Sequence, residues 1–250
     1  MDNFVIRKNT KPLSNNKTIN VYTDGACTNN GKPDARAGFG IWFGDNDEMC
    51  ILLSQEEMNF LWKRIDEANK KHDVINAQLA GNISKSLNMG LYDLDPISKI
   101  VMPLCSEYPK QFGLPYRSQV SGLSDTESRL TEWWVNYQFQ NEFNPMHAHN
   151  GVYSWVVWMK IPTESEEQNS IPIAANSNSQ GKISNFYFTF TDTLGKIVNY
   201  EIAMGKSVEG TLVLFPAQLK HSVNQFYNCD EPRISVAGNI SLYSYPPKNK

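Results

Sequence analysis

The chain has 250 residues, 40% hydrophobic and 12% aromatic, enough for one good-sized core plus an appendage. A formal net charge of −3 gives no global electrostatic case for nucleic acid or an anionic membrane as partner, and no apolar run approaches the roughly 20 residues that a membrane helix requires. The four cysteines, Cys27, Cys50, Cys105 and Cys229, are scattered without a C-x-x-C pair, which argues against a zinc ribbon or disulfide scaffold and suits a reducing, cytoplasmic setting.

Residues 1–17 are polar and rich in Asn and Lys, and read as a disordered lead-in. Residues 18–27 read as a strand, 28–37 as a turn-rich loop, and 38–44 as a second strand. The run Tyr22-Thr23-Asp24-Gly25 in such a hairpin resembles the opening of a ribonuclease H domain, whose first strand carries a metal-binding Asp, here Asp24. That resemblance covers residues 18–48. Two-metal phosphodiester hydrolysis needs several carboxylates around both ions, and nothing after Glu48 continues the pattern. The hairpin therefore reads as a truncated fragment without nuclease activity, followed by a separate unit over residues 53–245.

That unit opens with Ser54-Gln55-Glu56-Glu57, a capping box, and Met58, Leu61, Trp62 and Ile65 then recur at helical spacing to about Ala68. The charges here, Lys63, Arg64, Lys70 and Lys71 against Glu56, Glu57, Asp66 and Glu67, cancel, so the helix reads as a solvated amphipathic support. His72 follows in a polar stretch without a partner and reads as a surface residue. A short helix is expected within residues 73–86, and the Pro-containing piece 102–116 reads as a loop or irregular crossover. Residues 130–140 alternate as a strand, Trp134, Asn136 and Gln138 on one face and Trp133, Val135, Tyr137 and Phe139 on the other. Asn136, Tyr137 and Gln138 are candidates to line a pocket.

The densest chemistry lies in Asn144-Pro145-Met146-His147-Ala148-His149-Asn150-Gly151, before the apolar run 152–159. In an extended segment, residues two apart point to one side, so His147 and His149 would face a common cavity. Asn144-Pro145 predicts a turn before them and Gly151 a sharp bend after. Two aligned imidazoles begin a first-row metal site, and His221 is the available third ligand. Residues 163–179 are acidic and rich in Asn and Ser, and read as a flexible loop at a barrel mouth. Short strands follow at 184–191, 197–203, 211–215, 222–226 and 234–242, a spacing that predicts a sandwich or jelly roll.

Taken together, Glu142-Phe143-Asn144-Pro145, His147-x-His149-x-Gly151, Ser154-x-Val156, Gly210-x-Leu212-Val213-Leu214-Phe215-Pro216, His221-Ser222-Val223 and Arg233-x-Ser235 resemble the iron(II)/2-oxoglutarate-dependent oxygenases, particularly the small bacteriophage members. The resemblance implies a mainly β, double-stranded β-helix fold with helical support, and a site that hydroxylates a second substrate while 2-oxoglutarate is oxidatively decarboxylated to succinate. Its cofactors would be Fe(II) and 2-oxoglutarate, its partners O2 and an unidentified second substrate. His147, His149 and His221 would be the metal and catalytic residues. Most of the wider superfamily carries Asp or Glu where this chain has His149, so either three histidines hold the iron or His149 is not a ligand. Arg233 would bind the distal carboxylate of 2-oxoglutarate bidentately, with Ser235 completing the pairing and Tyr137 as a further contact. The alternatives are a cupin-like metal protein that does not use 2-oxoglutarate, and a noncatalytic jelly-roll binding or structural module.

Overall fold

The computed structural model describes residues 27–28, 36–37, 50–112, 125–176, 183–192 and 194–245. Asp24, the whole of the predicted strand at 38–44 and all of the predicted strand at 18–27 except Cys27 lie outside these residues. What is described of this stretch is β1 (Cys27–Thr28) paired antiparallel with β2 (Arg36–Ala37), so the pairing runs from the last residue of the predicted first strand across the stretch read as a loop.

A short strand lies just before residue 53. β3 (Cys50–Leu52) pairs with β10 (Thr211–Pro216), and Leu53 N–H donates to the Gly210 carbonyl at 2.9 Å. α1 (Gln55–Lys71) starts at the capping box read from the sequence. Ser54 caps the Glu57 N–H, and the Glu57 carboxylate accepts from the Ser54 N–H at 2.6 Å. The helix ends at His72, exposed and left-handed at φ 55°. Arg64 is a correction. It is buried rather than solvated, with Nη2 donating to the Met89 carbonyl at 2.7 Å and the guanidinium over the Tyr92 ring.

In place of the short helix expected within residues 73–86 there is only a 3-10 turn (Asn76–Gln78) before a strand, β4 (Lys85–Asn88). A second correction is larger. Much of the predicted loop at 102–116 belongs to α2 (Asp95–Phe112), which contains Pro103 and Pro109. Each internal proline costs a helix roughly 3 kcal/mol. Against that cost, Ile97, Ile100, Val101, Leu104, Cys105 and Tyr108 recur every three or four residues, and all are buried.

The remaining strands are β5 (Asp125–Gln138), β6 (Asn144–His147), β7 (Tyr153–Lys160), β8 (Phe186–Thr191), β9 (Ile197–Ile202), β11 (Lys220–Val223) and β12 (Arg233–Tyr245). They form two antiparallel sheets of order β3-β10-β7-β12-β5-β4 and β6-β11-β8-β9. From β5 to β12 the chain repeatedly crosses between the sheets, and this winding is the double-stranded β-helix, or jelly roll. Along β7, Tyr153, Trp155, Val157 and Met159 pack with α1 and α2 in one core, while Val156 and Trp158 pack with Phe186, Phe188 and Phe215 in the other. Burial on both faces explains why β7 reads as a continuous apolar run rather than an alternating one.

The predicted mouth loop at 163–179 is also corrected. It contains α3 (Ser165–Ser170) and α4 (Pro172–Ala175), both without an apolar stripe. Polar side chains hold α3 instead. Ser165 donates to Asn185 Oδ1 at 2.9 Å, and Gln168 bonds both the carbonyl and the N–H of Tyr227.

Candidate metal centre

The histidine segment is anchored by β6, where the sequence predicted a turn at Asn144-Pro145. Pro145 is tolerated inside this strand because β6 is the edge of its sheet. His147 lies opposite His221 and Asn144 opposite Val223, so three steps on β6 face two on β11. This one-residue bulge bends the edge strand beside the site. His149 lies just past the strand, fixed by its N–H donating to the Ala217 carbonyl at 2.8 Å and by Gln218 Nε2 donating to its own carbonyl at 3.0 Å. The predicted bend at Gly151 is present at φ +95°, and a Cβ there would meet the Ile240 carbonyl oxygen at 2.6 Å.

The three imidazoles gather at one place. Each offers a ligand nitrogen, and all of these lie within 4.8 Å of one another. His147 Nδ1 is 2.7 Å from the Pro145 carbonyl and His221 Nδ1 is 2.9 Å from that of Leu219. A carbonyl only accepts, so both Nδ1 atoms carry the proton and both Nε2 atoms present a lone pair. His149 Nε2 stands 3.1 Å from His221 Nε2. Burial lowers the pKa of His147, takes His149 down to about 4, and holds His221 well below the ordinary value; nearby positive charge adds to the effect. All three are neutral at pH 7, the state a metal requires of them.

Beneath the histidines is a cavity of about 280 Å³, near the low end of the roughly 300–1,000 Å³ usual for small-molecule sites. Arg233 and Ser235 line it. Arg233 is only 2% exposed, and no carboxylate pairs with it among the described residues. Its Nη1 donates to Gln138 Oε1 at 3.3 Å and its Nη2 to Ser184 Oγ at 2.7 Å, and its Nε is buried with no partner among the described residues. Burial takes its pKa from 12.5 down to about 9, so the guanidinium is still charged at neutral pH.

Tyr137 is corrected. It lies on the opposite face of β5, in the outer core, where its hydroxyl bonds Asn69 on α1 and Lys85 Nζ sits 4.0 Å from its ring centroid. Its neighbours Asn136 and Gln138 do line the cavity. Several lining residues carried no motif: Trp134, whose ring centroid is 5.6 Å from that of His149; Phe186, stacked on His221; and Glu132. Ser184, which holds Arg233, was equally silent. The alternation of Trp134, Asn136 and Gln138 on β5 was the available signal. Ser184 gave none, since it is fully buried at the unusual φ of +70°.

These residues fit the cofactors that the motifs imply. Three neutral imidazoles converge, and an unpaired, forked cation lines the same cavity. Residues 132–239 match the family described as "Putative 2OG-Fe(II) oxygenase". No curated protein matches the chain. Among solved structures the chain is similar to a prolyl-4-hydroxylase from Pseudomonas putida (13% identity, 77% of this chain and 90% of that one, TM-score 0.46). It is also similar to a prolyl hydroxylase from Trichoplax adhaerens (12%, 78% and 82%, TM-score 0.48) and to a viral collagen prolyl hydroxylase from Paramecium Bursaria Chlorella virus-1 (15%, 76% and 93%, TM-score 0.41). No described helix is long and apolar enough to cross a membrane. Over residues 132–239 the chain thus matches the 2OG-Fe(II) oxygenases, oxidoreductases that use iron(II) and 2-oxoglutarate as well as O2.

Proposed function

We propose that His147, His149 and His221 hold iron(II), and that Arg233 and Ser235 hold the distal carboxylate of 2-oxoglutarate. The observation that carries this reading is the pairing of three converged neutral imidazoles with a buried guanidinium that has no counter-ion among the described residues, both on one cavity. Iron(II) supplies the oxygen chemistry that couples decarboxylation of 2-oxoglutarate to hydroxylation of a second substrate. The chain's own residues do the positioning. Pro145 and Leu219 fix the tautomers of His147 and His221, and Phe186 and Phe215 pack against His221 and exclude water from it. Gln138 and Ser184 aim the Arg233 fork. A metal protein that made no use of the keto acid would have no need to bury an unpaired guanidinium, whose desolvation is costly.

The same reading takes the domain as residues 53–245, extended at its start by β3. It assigns Asp24 and residues 18–48 no part in this chemistry. We place the protein in the cytoplasm of a phage-infected cell, on the resemblance of its motifs to the small phage members and on its free thiols at Cys105 and Cys229. The test is succinate release from 2-oxoglutarate by anaerobically iron-loaded protein on admission of O2. Release should depend on iron and be lost in His147→Ala and His221→Ala. Iron-independent release, or none from protein that retains iron, would overturn the assignment.

A further inference from the structure

The inner face of the large sheet is built in rungs. Strand register sets Gln138 beside Arg233, Asn136 beside Ser235, Trp134 beside Ala237, and Glu132 beside Asn239. The neighbouring β7 adds Val156 to the third rung and Ser154 to the fourth. The first rung carries the guanidinium, and the third carries Trp134 against His149. The fourth lies one step further from Arg233, roughly 7 Å for two residues of extended chain.

That fourth rung is a relay of hydrogen bonds across three strands. Ser154 Oγ donates to Asn239 Oδ1 at 2.7 Å, and Asn239 Nδ2 donates to Glu132 Oε1 at 2.6 Å. Ser154 and Asn239 are buried, whereas Glu132 is exposed on the cavity wall. Burying two polar side chains is costly unless both are paired. Here the pairing ends on one carboxylate and fixes its orientation. The other oxygen, Oε2, has no protein partner among the described residues, and no cation pairs with Glu132 there. Among the described residues, Arg233 and Glu132 are the only charged side chains lining the cavity, and they stand on opposite sides of the Trp134 rung.

We propose that Glu132 recognises the second substrate, and that this substrate carries a cationic group, a primary ammonium or a guanidinium. The proposal rests on the reading of the Arg233 side as the 2-oxoglutarate side, because that leaves the Glu132 side for the other reactant. A carboxylate with a free oxygen forms a charge-assisted bond to such a donor, and the indole of Trp134 on the next rung favours the same charge. An anionic substrate would be repelled by Glu132, and an apolar one would desolvate it without a partner.

The test uses n-butylguanidinium, n-butylammonium, n-butanol and butyrate as probes in ligand-observed NMR titrations of the full chain. Each series is run on metal-free protein and on protein loaded with zinc and 2-oxoglutarate. The two cations should bind about tenfold more tightly than butanol, the gain of about 1.4 kcal/mol expected of one charge-assisted contact, and butyrate should bind most weakly. Glu132→Gln keeps an oxygen to accept from Asn239 and should bring the cations to the level of butanol. The proposal is overturned if no cation binds, if butanol or butyrate binds as well as the cations, or if Glu132→Gln keeps the preference. Loss of 2-oxoglutarate binding with the cation preference intact would instead refute the reading of the Arg233 side alone.

Discussion

Replacing Arg233 with leucine should separate binding from stability. In the wild type, burial lowers the pKa of this arginine from 12.5 to about 9, a penalty on the charged form of about 5 kcal/mol at most. The penalty is present in full below about pH 9, because there the folded chain must keep a buried cation that the unfolded chain keeps in water. Leucine removes it. The same change strips the donors from Gln138 Oε1 and Ser184 Oγ, at about 1–3 kcal/mol for each acceptor left bare. The two effects oppose each other at similar size, so the melting temperature of the metal-free protein should move little. Binding of 2-oxoglutarate has no such compensation. Stranding its distal carboxylate costs roughly 3–5 kcal/mol, two to four decades in affinity. Arg233→Lys keeps the charge without the fork and should fall between wild type and leucine. Equilibrium titration of metal-loaded protein with 2-oxoglutarate, beside pyruvate as a keto acid lacking that carboxylate, reads the difference. Pyruvate binding should be nearly indifferent to the leucine change. Wild-type affinity for 2-oxoglutarate in Arg233→Leu would refute the reasoning, and collapse of the metal-free fold would show that the arginine is structural.

His149→Ala should lose iron as severely as His147→Ala and His221→Ala, measured as metal retained after anaerobic desalting; normal retention would remove His149 from the ligand set. Because His149 titrates near 4 when folded and near 6.5 when unfolded, the metal-free protein should lose stability as pH falls from 6.5 towards 4, and a flat melting temperature over that interval would contradict its burial as a neutral ring. Asp24→Asn, or deletion of residues 1–47, should leave 2-oxoglutarate turnover within a few-fold, whereas magnesium-dependent cleavage of an RNA–DNA hybrid that is lost in Asp24→Asn would show an active nuclease. Burial pushes the Cys105 thiol up to about 12, so peptide mapping after alkylation at pH 8 should find Cys105 unmodified in folded protein and modified in denaturant.

How much of this was legible in the sequence follows from the range of the interactions involved. The capping box at Ser54 is local chemistry, and the strands after residue 183 announce themselves through turns and short apolar runs, so their positions were readable. The histidine cluster was readable because His147 and His149 share a motif, and because His221 and Arg233 follow in a recognisable order. α2 was obscured by Pro103 and Pro109, whose local signal is outweighed by burial against the sheet. α3 has no apolar stripe, and its partners Asn185 and Tyr227 are distant in sequence. Tyr137 was assigned to the pocket because its neighbours belong there, although period-two alternation sends it to the other face. The Ser154–Asn239–Glu132 rung depends on the register of three strands, which only tertiary pairing sets. Ser184 reaches Arg233 across 49 residues from a left-handed backbone that no serine advertises.

The central claim is that three histidines and Arg233 form a single site for iron(II) and 2-oxoglutarate. Anaerobic addition of iron(II) and then 2-oxoglutarate to the full chain tests it most directly, by the weak visible charge-transfer absorption of the iron–keto acid chelate. The expected result is a band that appears only when both are present, saturates at one iron per chain, and is absent in His149→Ala. Iron retained by the wild type with no spectral change on adding saturating 2-oxoglutarate would contradict it.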